Sequence, residues 1–375
     1  MSVVRAGRIP DRAPHSAQQS TVPSPEQHRA LAIVRAQGWN GSSFQVLARG
    51  YSYHFDGDAF VAYVDTGTSW VAAGAPVGAQ DRIAEVAERF RDAAREAGRN
   101  VCFFSAGSRF VAETPGWKSL VIGEQPIWRT ATWRDESDRK RSLGAQVRRA
   151  RAKGVVVRRI EASRVRPGTD ERRMIDDVLG EWLESRRMPP MGFLVDVQPF
   201  VFGDERRIFR AERDGVVVAL LVAAPIYARN GWLVETLARR NDAPNGTSEA
   251  LIDAAMNAAA SESVDIVTLG MAPLAGTTAL RLRLARWLTR PFYDFDGLYA
   301  FRRKLRPDAW EPLYLVVPPK APRWLALVES LRAFAHGSIT RFALRSLLRL
   351  ITRRAVSRAI GSSRFARGIL ASRSR

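Results

Sequence analysis

The sequence predicts a mixed α/β (α+β) fold with largely antiparallel sheets. Apolar segments with the two-residue period of strands alternate with segments that have the period of helices. The 375 residues are 46% hydrophobic, which is enough for large cores. Three strand-like segments also follow one another directly in the second half, as in an antiparallel sheet.

The first half begins after residues 1–25, which are rich in Pro, Ser, Gln and Arg and are predicted to be disordered. A helix is expected over Gln80–Gly98, where apolar residues recur at helical spacing. A charged helix is expected over residues 134–153. Strands are predicted at Phe44–Leu47, Ala59–Val64, Ser69–Ala73 and Asn100–Phe104.

The second half has the same kind of pattern. Helices are predicted over Thr169–Arg187 and Thr247–Ser261. The predicted strands are Val155–Ile160, Arg207–Arg213, Val216–Pro225, Trp232–Ala238 and Ile266–Gly270. Both halves thus show a strand, strand, helix, strand order. We expect a first domain over 26–153, a second over 154–318 and a helical tail over 319–375.

The composition narrows the class of protein. The formal charge of +20 favours a polyanionic partner, either nucleic acid or anionic lipid. The single cysteine, Cys102, excludes an internal disulfide and lies in an apolar run typical of a buried thiol. Four scattered histidines form no pattern of metal ligands. No apolar run reaches membrane-spanning length and no secretory signal is visible, so a cytoplasmic location is expected.

The tail carries much of the charge, with thirteen Lys or Arg residues and one acid, Glu329. On a helix, one face would hold Arg341, Arg345, Arg349 and Arg353, and leucine and isoleucine would fill the opposite face. Such a helix suits the headgroup region of an anionic membrane. A helix docked on the preceding domain and a nucleic-acid tail are the alternatives.

The helix over residues 134–153 is the second basic segment. Its last turns contain Arg148, Arg149, Arg151 and Lys153. A solvated helix face is the common explanation of such a run, but its density also makes it a candidate track for a polyanion.

Chemistry is expected where the strand at Trp232 meets a turn at Asn245-Gly246 and a helix follows at once. The backbone donors of a strand, glycine turn and helix N-terminus can bind an anion, and Glu249 would reach back as a capping residue. Glu235 and Arg239 lie four residues apart on the strand and are predicted to share a face, either as part of a site or as a cross-strand ion pair.

Two later segments are also candidates. Thr268–Gly276 is a strand end followed by a Gly/Pro loop of the kind that borders clefts. Residues 292–314 mix aromatic and basic side chains in a pattern that suits a phosphate-bearing ligand with an apolar body. The candidate binding residues there are Asp294, Asp296, Arg302, Arg303, Lys304 and Trp310.

Several motifs in this order resemble the C-terminal catalytic domain of phosphatidylglycerol lysyltransferases, the aminoacyl-phosphatidylglycerol synthases. The resemblance covers roughly residues 30–317. Its motifs are Gly74-Ala-Pro-Val-Gly78, Ile122-Gly-Glu124, Lys153-Gly154, Phe193-Leu-Val-Asp196, Ala243-Pro-Asn-Gly246 with Glu249, Leu269-Gly-Met-Ala-Pro-Leu274, Tyr293-Asp-Phe-Asp-Gly-Leu298, Lys304 and Trp310-Glu-Pro.

The resemblance implies two tandem acetyltransferase-like (GNAT) folds. It implies transfer of an amino acid, of lysine or alanine type, from aminoacyl-tRNA to phosphatidylglycerol at the inner face of the membrane. No metal or cofactor is implied, and Pro244-Asn-Gly246 occupies the place of the turn that would bind coenzyme A. Glu235, Arg239, Glu249 and Lys304 become the catalytic candidates, and the basic helix becomes the candidate tRNA track.

Two positions depart from the family pattern. Thr236 stands where an acidic residue is common, and Arg302 stands where a lysine is expected. The family's integral membrane region is not seen before the domain, so the basic tail is the expected membrane attachment. An acyltransferase acting on another cell-envelope acceptor, or a non-catalytic lipid- or RNA-binding module, are the alternatives.

Overall fold

The computed structural model describes residues 22–133, 141–186, 191–273, 295–342 and 344. The predicted disordered segment therefore lies mostly outside the described residues. Helix α1 begins at Pro25, where Ser24 caps it through a hydrogen bond from the backbone of Gln27.

The helices follow in chain order. They are α1 (Pro25–Gln37), α2 (Ser42–Gln45), α3 (Ile83–Glu96), α4 (Ser108–Glu113), α5 (Arg141–Ala152), α6 (Asp170–Ser185), α7 (Thr247–Ser261), α8 (Phe295–Lys304) and α9 (Arg323–Phe334). No helix in the described part of the chain is long and apolar enough to cross a bilayer.

The strands form one twelve-stranded mixed sheet. They are β1 (Ser52–Asp56), β2 (Ala59–Asp65), β3 (Ser69–Ala73), β4 (Asn100–Gly107), β5 (Lys118–Arg129), β6 (Val156–Ile160), β7 (Arg207–Arg213), β8 (Val216–Ile226), β9 (Gly231–Arg239), β10 (Ile266–Thr268), β11 (Ala272–Pro273) and β12 (Ala309–Val317). Their order is β1-β2-β3-β4-β12-β5-β10-β9-β8-β7-β6, and β11 pairs with β5. The predicted mixed α/β class is confirmed.

A repeat is visible in how the strands pair. In the first half, β2 and β3 are antiparallel, α3 follows, and β4 returns parallel to β3. In the second half, β8 and β9 are antiparallel, α7 follows, and β10 returns parallel to β9. Both halves therefore contain the strand, strand, helix, strand order that the sequence predicts.

Three segments lie across the predicted domain boundaries. Helix α5 packs on α7 of the second half through Leu143, Val147 and Ala150, which are apolar at helical spacing. Strand β12 lies between β4 and β5 of the first half. Helix α9, assigned by sequence to the tail, packs on β3 and β12.

The buried carboxylate of Glu329 connects α9 to the first half. Glu329 is 1% exposed, accepts a hydrogen bond from Thr66 and pairs with Arg332 at 2.8 Å. Ala326 of the same helix lies 4.0 Å from the sulfur of Cys102. Cys102 is buried as predicted, and burial raises the pKa of its thiol to about 12.

One predicted strand is wrong. Phe44 lies in the short helix α2, and Val46 and Leu47 follow it in turns. Phe44, Val46 and Leu47 are all buried. The four residues Phe44–Leu47, with Gln45 among apolar neighbours, are too few to show a period that separates a strand from a buried helical turn.

Candidate functional site

A cavity of about 640 Å³ lies between the two halves of the sheet. Its wall contains five arginines and three acids among apolar side chains. The first half contributes residues around α2 and the end of β4, and the second half contributes β9 and α8. The charged lining residues are Arg109, Arg186, Arg206, Arg229, Arg302, Asp196, Glu235 and Glu311.

Glu235 enters this wall because β9 contains a β-bulge. Val222 and Ala223 of β8 pair with Thr236 and Val234, so Glu235 is the extra residue. Its carboxylate accepts a hydrogen bond from Nε of Arg206 at 2.5 Å. The two side chains are 10% and 2% exposed, which makes this a buried ion pair.

Arg206 is held by more than its carboxylate. Its guanidinium donates to the carbonyl oxygen of Val201 and lies 4.7 Å from the ring centroid of Phe44. The second half thus presents Glu235 to the cavity on a fixed support.

A second ion pair crosses between the halves. Arg229 donates two hydrogen bonds to Glu311, at 2.9 and 2.7 Å, and Gln125 donates a third at 2.8 Å. Burial opposes ionisation of Glu311, but the hydrogen bonds and charge of Arg229 outweigh it, so the pKa of Glu311 is lowered. This pair is therefore charged at neutral pH.

Arg109 lies on the first-half side of the cavity, near the start of α4. Its guanidinium lies 4.7 Å from the ring centroid of Trp39, and that of Arg229 lies 5.6 Å from the same ring. Burial lowers the pKa of Arg109, and the charge of Glu113 offsets this in part.

Arg302 also lines the cavity, as a member of α8. It is 7% exposed and donates a hydrogen bond to the carbonyl oxygen of Leu269. That bond ties α8 to the Leu269–Pro273 segment of the wall.

The predicted partnership of Glu235 and Arg239 is wrong. Arg239 is at the exposed end of β9, pairs with Ala219, and is absent from the cavity wall. Glu235 pairs with Arg206. The guanidinium of Arg239 instead approaches the carbonyl oxygen of Ala243 at 3.5 Å.

Two other catalytic candidates, Lys304 and Glu249, form an ion pair with each other outside the cavity. Lys304 lies 3.3 Å from the carboxylate of Glu249, with side chains 36% and 12% exposed. Neither residue lines the cavity. Among the described residues Glu249 accepts no hydrogen bond from the backbone N–H of Gly246, so the predicted capping bond is absent, and its carboxylate pairs with Lys304 instead.

The predicted anion turn is covered. Gly246 has a φ of +96°, and a Cβ there would lie 2.1 Å from the carbonyl oxygen of Gln146 in α5. The glycine thus permits α5 to pack against the turn. Asn245 is exposed beside it and lies outside the cavity wall.

Three of the remaining substrate-binding candidates are described and are absent from the cavity wall: Asp296, Arg303 and Trp310. Asp296 is half-buried near the start of α8, and Arg303 is exposed near its end. Trp310 packs on Tyr299 with ring centroids 5.0 Å apart. Asp294 lies outside the described residues.

The basic candidates are exposed where they are described. Arg148, Arg149, Arg151 and Lys153 form the outer surface of α5 and the turn after it. Arg341 is exposed near the end of the described chain. Arg345, Arg349 and Arg353 lie outside the described residues.

Several cavity residues carried a signal that the sequence-based choice of site residues missed. Asp196, Gln125 and Glu311 lie in or next to quoted motifs, at Phe193–Asp196, Ile122–Glu124 and Trp310–Pro312. Trp39, Arg109, Arg206 and Arg229 lie in no motif.

The segments that line the cavity are shared with known proteins. A family model described as phosphatidylglycerol lysyltransferase, C-terminal, matches residues 32–317. The chain belongs to this family.

Two curated phosphatidylglycerol lysyltransferases show the same relationship. The one from Bacillus subtilis (strain 168) is 25% identical over 304 residues, and the one from Staphylococcus xylosus is 21% identical over 297. These alignments cover 77% and 75% of this chain. The chain spans only 35% and 34% of the length of these relatives.

Solved structures share the fold. The structure of L-PGS from Bacillus licheniformis superimposes with a TM-score of 0.70 at 23% identity, covering 83% of this chain and 96% of that one. A C-terminal domain of a lysylphosphatidylglycerol synthetase from Agrobacterium fabrum gives 0.73 at 23% identity, covering 84% and 98%. FemX gives 0.53 at 8% identity.

Proposed function

We propose that the chain transfers an amino acid, of lysine or alanine type, from aminoacyl-tRNA to phosphatidylglycerol. One observation carries the proposal: family motifs that are far apart in sequence converge on a single cavity. Asp196, Met271 and Glu311 belong to three of these motifs, and all three line the wall. A volume of about 640 Å³ suits a small ligand with polar and apolar parts.

The proposed reaction is an ester exchange. The acceptor hydroxyl oxygen forms a bond to the carbonyl carbon of the aminoacyl ester, and the bond from that carbon to the ribose oxygen breaks. The proton of the acceptor hydroxyl passes to the leaving ribose oxygen. The ester is already activated, so the protein must orient the reactants and stabilise the developing oxyanion.

The cavity side chains have roles that follow from their partners. Glu235, fixed by Arg206, accepts the hydrogen bond of the acceptor hydroxyl. Hydrogen-bond donors that the wall holds in place are proposed to stabilise the developing oxyanion. Arg302 acts by binding Leu269, because an arginine is a poor proton donor.

The two halves of the sheet are proposed to be tandem GNAT-like units. The support is the repeated order of antiparallel strand pair, helix and parallel strand, in β2–β4 and again in β8–β10. The cavity between them would then use one face of each unit.

We also propose peripheral attachment to an anionic membrane through α9. Trp324 and Leu331, seven residues apart on one side of the helix, are 63% and 57% exposed. Lys320 and Arg323 are exposed beside them. Phe334 of the same helix lines the cavity, so membrane contact here would bring the acceptor close to the site.

Vesicle flotation tests this attachment. W324S/L331S should reduce binding to phosphatidylglycerol vesicles, while V156S/V216S, which changes two exposed valines elsewhere, should not. Binding should weaken with salt. Equal flotation of W324S/L331S and the unaltered chain would reject α9 as the contact.

The outer surface of α5 is the proposed tRNA track. Replacing its four cations by glutamine should weaken tRNA binding and flatten its salt dependence, because each phosphate contact contributes to the slope. A control that replaces four exposed arginines elsewhere should change neither: Arg95, Arg164, Arg166 and Arg173. Equal losses in both variants would reject the track.

A transfer assay tests the activity itself. The chain is mixed with labelled aminoacyl-tRNA and vesicles of phosphatidylglycerol, and label is counted in the chloroform extract. We expect label with phosphatidylglycerol and none with phosphatidylethanolamine. No extractable label with either lysyl- or alanyl-tRNA would reject the proposed activity.

A further inference from the structure

Arg109 forms no ion pair with a carboxylate of the described residues, unlike Arg206 and Arg229 of the same cavity wall. No carboxylate of residues 22–133, 141–186, 191–273, 295–342 or 344 forms an ion pair with it, and its Nε is buried without a hydrogen bond. The acid nearest in sequence, Glu113, accepts a hydrogen bond from Gln80 at 2.8 Å. Arg109 is therefore a partly buried cation that forms no ion pair within the described part of the chain, and the charge of Glu113 offsets its burial only in part.

Two other arginines of the wall are paired with acids, and the comparison shows why the absence of an ion pair at Arg109 favours anion binding. Arg206 is neutralised by Glu235, and Arg229 is neutralised by Glu311. An anion that approached either arginine would meet a carboxylate already in place. At Arg109 no bonded carboxylate among the residues described competes with an incoming anion. The anion would offset the free-energy cost of burying the charged guanidinium.

The orientation of Arg109 is already fixed. Its guanidinium lies against the ring of Trp39, which limits the side chain to few rotamers and leaves the edge of the fork for a ligand. A guanidinium fork matches two oxygens of a phosphate or a carboxylate. Asn40 and Ser108 line the cavity beside it and add neutral polar groups.

The surroundings of Arg109 favour a phosphodiester with an apolar body. Phe193, Leu194 and Phe334 line the same cavity, and Phe334 belongs to the helix proposed to contact the membrane. The proposed tRNA track is on α5, which packs on the second half. A lipid headgroup therefore suits the first-half side of the cavity better than an RNA backbone does.

We infer that Arg109, held by Trp39, binds the phosphodiester of the glycerophospholipid acceptor. The inference rests on the proposed function, since it assigns the place of that function's acceptor. It places this phosphate at Arg109 and not among the basic residues of 292–314, whose pattern also suits a phosphate-bearing ligand. Arg109 binds the non-reacting part of the acceptor, so its loss should raise KM for lipid more than it lowers kcat.

Calorimetry with glycerophosphoglycerol, the soluble headgroup of phosphatidylglycerol, tests the site without turnover. R109Q should weaken binding by about 10- to 100-fold, because a charge-assisted hydrogen-bond pair is lost. R109K should keep part of the affinity, since it retains the charge but not the fork. R95Q, an exposed arginine on α3, is the control for loss of one charge and should bind normally.

Unchanged binding by R109Q, with an unchanged near-ultraviolet circular dichroism spectrum, would overturn the inference. So would a wild-type chain that fails to bind the headgroup, or one that binds inorganic phosphate equally well. A loss of tRNA binding in R109Q with headgroup binding intact would assign the site to RNA and overturn it too.

The proposed function can fail separately. If the wild-type chain binds glycerophosphoglycerol through Arg109 but transfers no amino acid, the activity is rejected and the anion site stands. If R109Q transfers amino acid with an unchanged KM for lipid, the activity stands and the anion site is rejected.

Discussion

The ion pair between Arg206 and Glu235 gives the sharpest prediction, because it separates stability from reaction chemistry. E235Q keeps the shape of the side chain but leaves the guanidinium, 2% exposed, without its counter-charge. Breaking one side of a buried pair costs about 3 to 5 kcal/mol. We expect the free energy of unfolding of E235Q to fall by about that amount.

Removing both partners should cost much less. In R206M/E235L no buried charge remains, and such replacements are often neutral. The carbonyl oxygen of Val201 loses its donor, which costs about 1 to 2 kcal/mol. The double variant should therefore be more stable than E235Q, and urea denaturation followed by circular dichroism measures both.

Transfer activity should be lost even in the variant that keeps its stability. R206M/E235L should fold well but lose amino-acid transfer, since the proposed acceptor of the hydroxyl hydrogen bond is gone. E85Q is the matched control: its pair with Arg89 on α3 is exposed and outside the cavity, so it should cost about 0 to 1 kcal/mol and leave transfer intact. Full transfer by R206M/E235L would refute the role of Glu235.

Further predictions concern packing and titration. G246A should destabilise the chain by about 2 kcal/mol more than G215A. Both glycines have a positive φ, but only a Cβ at position 246 would lie within 4 Å of α5. Equal melting temperatures of the two variants would contradict this. Because the pKa of Glu311 is lowered in the folded state, its pair with Arg229 should stabilise the chain above the unfolded glutamate pKa of about 4.3, and this should be lost as pH falls through the folded value. Urea titrations at several pH values should show a smaller acid-dependent loss of unfolding free energy in E311Q than in the unaltered chain. The thiol of Cys102 should not react with a thiol reagent at pH 8 until the chain unfolds, because burial raises its pKa to about 12; rapid labelling of the native chain would show that it is accessible.

Local patterns predicted elements well where one face is buried and the period is clear. The helix at Thr247–Ser261 and the strands Ser69–Ala73 and Arg207–Arg213 have the predicted bounds. β5 was not predicted, although it joins the two halves. It contains Gly123 and Pro126, and its stability comes from pairing with β12 and β10, which are distant in sequence.

The sequence predicts individual residues of the site but not the pairs that form between residues far apart in the chain. Glu235 and Arg302 were chosen from local patterns and both line the cavity. Arg239 does not line the cavity, because it lies at the exposed end of β9 and its guanidinium approaches the carbonyl oxygen of Ala243. Arg229 pairs with Glu311, which is 82 residues away, and such partners emerge only from the assembled sheet.

The most direct test of the central claim is mass spectrometry of the lipid product. The chain is incubated with phosphatidylglycerol vesicles and tRNA charged with isotopically labelled lysine or alanine, beside R206M/E235L. We expect a phosphatidylglycerol species heavier by one labelled aminoacyl group, formed by the unaltered chain and absent with the double variant. An unchanged lipid spectrum with the unaltered chain, or the same product from both proteins, would contradict it.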